Sequence, residues 1–463
     1  MSLATDEETL TQALKDPAFK QTLRQFLATD NFTNLGYLVR TWLYLISVLA
    51  ATVPFIEFRP EWGLHWAWNI PVVMLAVVMI GAGQHQLTGL AHEGSHFILM
   101  KNRLLNELVS DIFCLFPLYS STHLYRLQHL AHHQFVNDPE RDPDVFQLKA
   151  SGHWLKFPVT PGRFIKFLLA QAWLPNVVRF MLVRAQFSAT GSGDSPYYDP
   201  EKRPSLVAVR IGMLLVFPTI GCVLAASVFQ IPWLVLVAAV AIVLAWMIYL
   251  PLPVRFFAGS RLHPPVSPQV TTGLRVSLVC LVWGAMGTAS VATGNPWLPF
   301  YYLLLWVLPL FTTFSLFMIL RQVVQHGNGG FGWISNTRVF ELNPVFRFAI
   351  FPMGQDYHLP HHLFASVPHY RLKGLHSFLM NYPEYHRHAV EVHGYFNSPE
   401  KPKVHPTVVD VLGPEWEPGW QKRFIDDTVL EGVDMHDRDK VLAESERLRL
   451  QSAGRIQDNS TDQ

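Results

Sequence analysis

The chain has 463 residues, 50% of them hydrophobic and only 15% charged, with a net charge of +1. Soluble domains carry roughly 25% charged residues, so the composition points to a membrane protein, and the near-zero balance offers nothing to a nucleic acid. Cys114, Cys222 and Cys280 all sit in apolar runs and form no CxxC pair, which excludes a disulfide framework and an iron–sulfur cluster.

In chain order, residues 6–27 read as an amphipathic helix ahead of the membrane. The acidic start, Asp6, Glu7 and Glu8, lacks the basic n-region of a cleavable signal peptide. Runs near 36–56, 70–90, 206–228, 231–254, 276–293 and 297–320 reach the ~20 apolar residues a spanning helix needs. The turn between the third and fourth is very tight. The run 104–119 is shorter and carries Glu107 and Asp111, so it is expected to be re-entrant or interfacial. The stretch 164–183 mixes Lys166, Trp173 and Arg179 with Phe and Leu, as suits a helix lying in the headgroup plane. After about 398 the chain turns charged, with Pro399 and Pro402, and its end through Asn459 and Ser460 is expected to be disordered.

Charge orients this map. The connections 229–230 and 294–296 contain no Lys or Arg, and 57–69 contains only Arg59. Loop 91–205 is basic, and 255–275 holds Arg255, Arg261 and Arg275. The positive-inside rule then places both termini and the long loop in the cytoplasm. The expected fold is an all-α polytopic membrane protein of about six transmembrane helices with a histidine-rich cytoplasmic catalytic cap. Its expected divisions are an amphipathic segment 1–35, a membrane domain 36–390 and a charged tail 391–463.

The 21 histidines are clustered. His92–His96 reads HEGSH, His129–His133 reads HLAHH and His358–His362 reads HLPHH. On a helix, positions i, i+3 and i+4 share a face, so each HxxHH box is expected to aim three imidazoles at one point. His326 follows the last span as a ninth candidate. Packed imidazoles repel when protonated and need partners when neutral; bound metal meets both demands. Zinc takes about four ligands, so this many histidines suits two ions, with iron, copper and zinc all open. HEGSH also matches a zinc-protease motif with Glu93 as base, and a histidine-lined metal transporter is a further alternative. The set of boxes speaks against the first, and the nearly charge-free spans against the second. For the boxes to meet, 104–119 must not cross the membrane.

Neighbouring groups have possible supporting roles. Asp138, Glu140, Asp142 and Asp144 follow the second box and either hold ligand N–H groups or form a solvated, helix-capping loop. Glu93 and Asp356 stand near ligands, and Tyr357 either bonds such a group or only packs. His85, His123, His369 and His376 are expected to be hydrogen-bonded interfacial histidines.

The three boxes, with "HHQFVNDPERDPD" after the second and "HHLFASVPHYRLKGLH" in the third, resemble the integral-membrane fatty acid desaturase and hydroxylase superfamily over roughly 36–390. The resemblance implies two non-haem irons that activate O2 for attack on an unactivated C–H bond. It implies His92, His96, His129, His132, His133, His358, His361 and His362 as ligands, and His326 at the position of a further one. Desaturation of a fatty acyl group in a lipid bilayer leads the implied functions. Lipid hydroxylation, carotenoid hydroxylation or ketolation, and fatty acid decarboxylation use the same boxes. His263-Pro264-Pro265 lacks the glycines of a fused cytochrome b5 module, and no Rossmann fingerprint or ferredoxin cysteine set appears. A separate donor of ferredoxin or cytochrome b5 type is therefore expected on the cytoplasmic face, and the basic Lys101, Arg103, Arg126 and Arg338 either receive it or only follow the positive-inside rule. The membrane would be a bacterial inner membrane or of ER type.

Overall fold

The computed structural model describes residues 10–199, 201, 205–419 and 423–459. The described residues are mainly helical, with one two-stranded sheet. Helix α1 (Pro17–Leu27) starts where Asp16 accepts from the Ala18 N–H at 2.9 Å. The expected helix over 6–27 is thus interrupted at Asp16, and its residues 6–9 lie outside the described ones.

Among the described residues, six helices are long and apolar enough to cross a bilayer. They are α2 (Thr33–Phe58), α3 (Asn69–Ser95), α8 (Val207–Phe229), α9 (Pro232–Tyr249, opening with a 3-10 turn), α10 (Pro268–Thr293) and α11 (Leu298–Gln325). Their outer faces expose Leu43, Ile46, Met74, Leu214, Phe217 and Met247, an apolar surface that water would not tolerate and lipid does. Helix α10 begins eight residues before the expected run because Ser267 accepts from Val270 N and Pro268 occupies the first turn. The tight turn between α8 and α9 closes through Gln230, held in the left-handed region at φ 52°. In α3, Gly81 lets α11 approach: a Cβ there would stand 2.8 Å from Phe314 N.

Between α3 and α8 the chain remains beside the ends of the spans. Helix α4 (Arg103–Ser110) passes into a π turn (Asp111–Leu115) and a 3-10 turn (Phe116–Leu118). Helix α5 (Thr122–Gln134) follows, and its first N–H, from Thr122, is accepted by Asp111 Oδ1 at 2.7 Å. Burial, reinforced by Glu107, raises the Asp111 carboxyl to about 7. The stretch expected as one helix over 164–183 is instead two, α6 (Pro161–Ala170) and α7 (Leu174–Ser188). Pro175 explains the break: it fits a helix's first turn and not its interior.

The third box lies on the short α12 (His358–Leu363). A parallel pair, β1 (Val339–Glu341) and β2 (Glu391–His393), runs beside it in register Val339 to Glu391. Phe19 of α1 packs against Phe364 and Tyr382, which anchors the N-terminal helix to this region. The tail, expected to be disordered at its end, is helical as α13 (Arg438–Asn459) with Val441 and Ser445 buried, while Ser460 lies outside the described residues.

Candidate metal centre

Four chain segments deliver the histidines to one place. Helix α3 carries His92 in its last turn and stops at His96. Helix α5 carries the second box, α12 the third, and His326 caps the C-terminal end of α11. Gly94 lets the first box end here: a Cβ on it would meet Ser110 Oγ at 2.4 Å and Ser110 Cβ at 2.8 Å. The freed Gly94 carbonyl accepts from Asn106 Nδ2 and Arg126 Nη2, each at 2.9 Å.

All nine expected histidines come together, in two groups. His92, His96, His129, His133 and His361 form one; His132, His326, His358 and His362 form the other. Within each group the ligand atoms lie within 4.8 Å of one another. Neither HxxHH box aims three rings at a single point. The outer pair of the second box, His129 and His133, serves the first group while His132 serves the second. The third box does the reverse, lending His361 to the first group and keeping His358 and His362 in the second. The physical reason is helical geometry: neighbours at i+3 and i+4 diverge by about 100° around the axis. His96 and His129 meet at 2.9 Å, so the segment 104–119 between their boxes does not cross a bilayer.

The Nε2 atoms point inward at close spacing. In the first group His96–His129, His129–His133 and His133–His361 stand 2.9, 3.1 and 3.0 Å apart. In the second, His132–His326, His326–His358 and His358–His362 stand 3.1, 2.9 and 3.0 Å apart. Imidazole nitrogens about 2.1 Å from a shared ion would be about 3.0 Å apart at right angles and about 3.4 Å apart in a tetrahedron. The spacing is that of nitrogens gathered around a shared ion. The alternative, hydrogen bonds among the rings, leaves both nitrogens of His92 buried without a partner.

The outer nitrogens fix ring orientation where they are bonded. His132 Nδ1 donates to Asp142 Oδ1 at 2.9 Å, and His326 Nδ1 to the Asn336 carbonyl at 3.0 Å. Each leaves Nε2 free as a lone-pair donor to metal. Burial, then the charge of neighbouring rings, holds His129, His133, His358 and His362 well below the ordinary imidazole range. Burial, and after it the Arg126 guanidinium, takes His96 down to about 3. His132 differs: burial lowers it, but Asp142 and Asp144 outweigh that and raise it to about 9, so its Nε2 would have to release a proton on binding an ion.

Other candidates divide. Of the acidic loop only Asp142 bonds a box histidine. Asp138 pairs with Arg141 and Arg423, Asp144 accepts from Gln128, and Glu140 is exposed. Glu93 accepts from the His369 backbone N–H at 2.9 Å and its Nδ1 at 3.3 Å, so it is engaged rather than poised as a protease base. Asp356 pairs with Arg347 at 2.6 Å, and Tyr357 donates to Glu341 at 2.6 Å; neither reaches a box histidine. Of the four lone histidines, His376 bonds Tyr385 and Glu391, and His123 bonds Ser260. His85 is fully buried within α3, not interfacial, and bonds the Ala349 carbonyl at 2.8 Å. Arg126 and Arg338 are buried too: Arg126 grips Glu107 at 2.6 and 3.2 Å, and Arg338 bonds the Gly327 carbonyl. They are no docking surface, whereas Lys101 and Arg103 are exposed. The Asn336 carbonyl carried no side-chain signal in the sequence. In a third cluster, Glu391, His393 and His405, the neighbouring Glu400 holds the Nδ1 atoms of both imidazoles at 2.9 and 2.7 Å.

Two cavities lie in this part of the fold, and only the first is lined by a box histidine. One of about 310 Å³ reaches His96 and is also lined by Lys101 and Arg103. An apolar groove of about 740 Å³ runs between α2, α10 and the start of α11, with Trp42, Phe116, Met286 and Trp306 in its walls.

A family model for the fatty acid desaturases matches residues 66–252 and 244–394. The dihydrorhizobitoxine desaturase of Bradyrhizobium elkanii is 27% identical over 190 residues, covering 41% of this chain and 49% of that protein. The alignment thus spans about half the length of that relative.

Proposed function

The chain belongs to the fatty acid desaturase family, and from that premise we propose that it removes two hydrogens from a fatty acyl chain at a two-iron centre held by the nine histidines. The observation that carries this reading is the pair of imidazole groups with Nε2 atoms about 3 Å apart. Two irons bound there supply activation of dioxygen for attack on an unactivated C–H bond. The balance is one saturated C–C unit, O2, two electrons and two protons giving one alkene and two waters.

The chain's own residues set the conditions. Asp142 and the Asn336 carbonyl orient His132 and His326. The rings of both groups are largely enclosed, which keeps water from competing with the substrate. The apolar groove beside α2 and α10 suits the hydrocarbon. In this reading the electrons come from a separate protein of ferredoxin or cytochrome b5 type. The exposed Lys101 and Arg103 beside the His96 cavity suit an acidic partner. In this reading the site and both termini face the cytoplasm, as the basic loops favour.

Hydroxylation and decarboxylation would use the same ligands. Expression in a lipid-producing host, with mass spectrometry of the extracted lipids, separates them. Loss of two hydrogens supports desaturation; gain of one oxygen, or a terminal alkene one carbon shorter, replaces it with the other chemistries.

A further inference from the structure

Two half-buried arginines near the histidine groups have no carboxylate in direct contact, Asp144 acting on Arg321 only from a distance. Arg321 lies in α11, five residues before His326, and Arg184 lies in α7. Both line a cavity of about 40 Å³, together with Thr88 and Tyr125. Each wall is about one helical turn from a box histidine: Thr88 precedes His92 by four residues and Tyr125 precedes His129 by four. The Tyr125 ring stacks on His129, centroids 5.3 Å apart. The cavity therefore lies next to the first group, separated from it by the Tyr125 ring.

Arg321 Nε is buried with no hydrogen-bond partner. Arg184 donates to Gln147 Oε1 at 3.3 Å. Among the described residues no Asp or Glu oxygen lies within 4.0 Å of either guanidinium. The rest of the wall is mainly apolar, including Leu118, Met181, Leu310 and Phe314. A cation in a spanning helix is costly and marks function when it faces an interior cavity. A guanidinium fork is built for a carboxylate. The cavity is roomy enough for a carboxylate-sized group.

We propose that this cavity receives the free carboxylate of the substrate through Arg321 and Arg184, so that the enzyme takes unesterified acids and oxidises a C–H bond within a few carbons of the carboxylate. This rests on the reading of the centre as an oxidase of C–H bonds, and it adds the headgroup and the site of attack.

The test uses the full-length, iron-loaded protein in nanodiscs, with equilibrium binding of radiolabelled palmitate and of hexadecan-1-ol. Wild type is expected to prefer palmitate. Arg321→Leu is expected to weaken palmitate binding about 10–100-fold, the worth of a charge-assisted hydrogen bond, and to leave alcohol binding and iron content unchanged. Arg184→Gln is expected to give a smaller loss, and Arg321→Lys to retain part of the preference. Equal binding of the two probes by wild type overturns the proposal, as does an unchanged palmitate affinity in both Arg321→Leu and Arg184→Gln. If palmitate preference depends on Arg321 but neither probe is oxidised, the carboxylate site stands and the oxidase reading falls. If phospholipid acyl chains are oxidised equally well by wild type and Arg321→Leu, the oxidase reading stands and the carboxylate site falls.

Discussion

His132 donates through Nδ1 to Asp142 across 2.9 Å, and the opposite nitrogen of the same ring stands 3.1 Å from His326 Nε2. One carboxylate thus sets the direction of a ring that belongs to the second group. Asp142→Ala should lower metal affinity about 10–100-fold, the usual loss when a ligand's outer partner is removed. Asp142→Asn, which keeps an acceptor oxygen, should lose less. Iron content after dialysis against a weak chelator measures this. Equal retention by Asp142→Ala and wild type would show that the contact does not support a ligand.

The division into five and four histidines predicts separable losses. His361→Ala should weaken the first ion and His358→Ala the second, each variant retaining close to one iron per chain where the intact protein holds close to two. Both should lose turnover, because the chemistry needs the pair. His85→Gln, outside both groups, should keep both irons. Metal analysis finding one zinc per intact chain would end the two-iron reading.

The boxes were legible because His-x-x-His-His spacing is a property of the chain itself. Their exchange of middle members was not, since facing directions depend on where α5 and α12 cross. Arg126 and Arg338 read as surface cations because Glu107, nineteen residues from Arg126, gives no local sign that it will bury a guanidinium. Pro175 was legible and explains why 164–183 cannot be one helix. The spans were found at nearly their observed limits; α10 began early at a Ser-Pro start that an apolar window does not register.

Acid–base behaviour away from the metal groups offers a third check. Asp111 titrates near 7 in the fold against 3.8 for the ordinary group. A carboxyl with a raised folded value binds more protons folded than unfolded between those limits. Its stabilising contribution is complete below about 3.8 and is lost as pH rises through about 7. Asp111→Asn retains an oxygen for the Thr122 N–H and carries no charge. Its melting temperature should therefore fall less than that of wild type between pH 5 and 8. Parallel curves for the two proteins would refute the assignment.

Gly94 makes a steric prediction. A methyl group there meets Ser110 Cβ at 2.8 Å, so Gly94→Ala should cost about 1–3 kcal/mol, as overpacking does. It should also disturb the first group more than the second. Ser110→Gly in the same chain should restore part of the loss, and thermal melts of the single and double variants decide the matter.

The traded middle histidines also impose an order on biogenesis. A ribosome that has released residue 330 has made all six spans, yet the first group still lacks His361 and the second lacks His358 and His362. Under the two-iron reading, neither ion would have its full set of donors until the third box emerges, 229 residues after the second. Loading would then be deferred until the spans have been synthesised, and the nascent chain would carry no complete redox centre through its earlier stages.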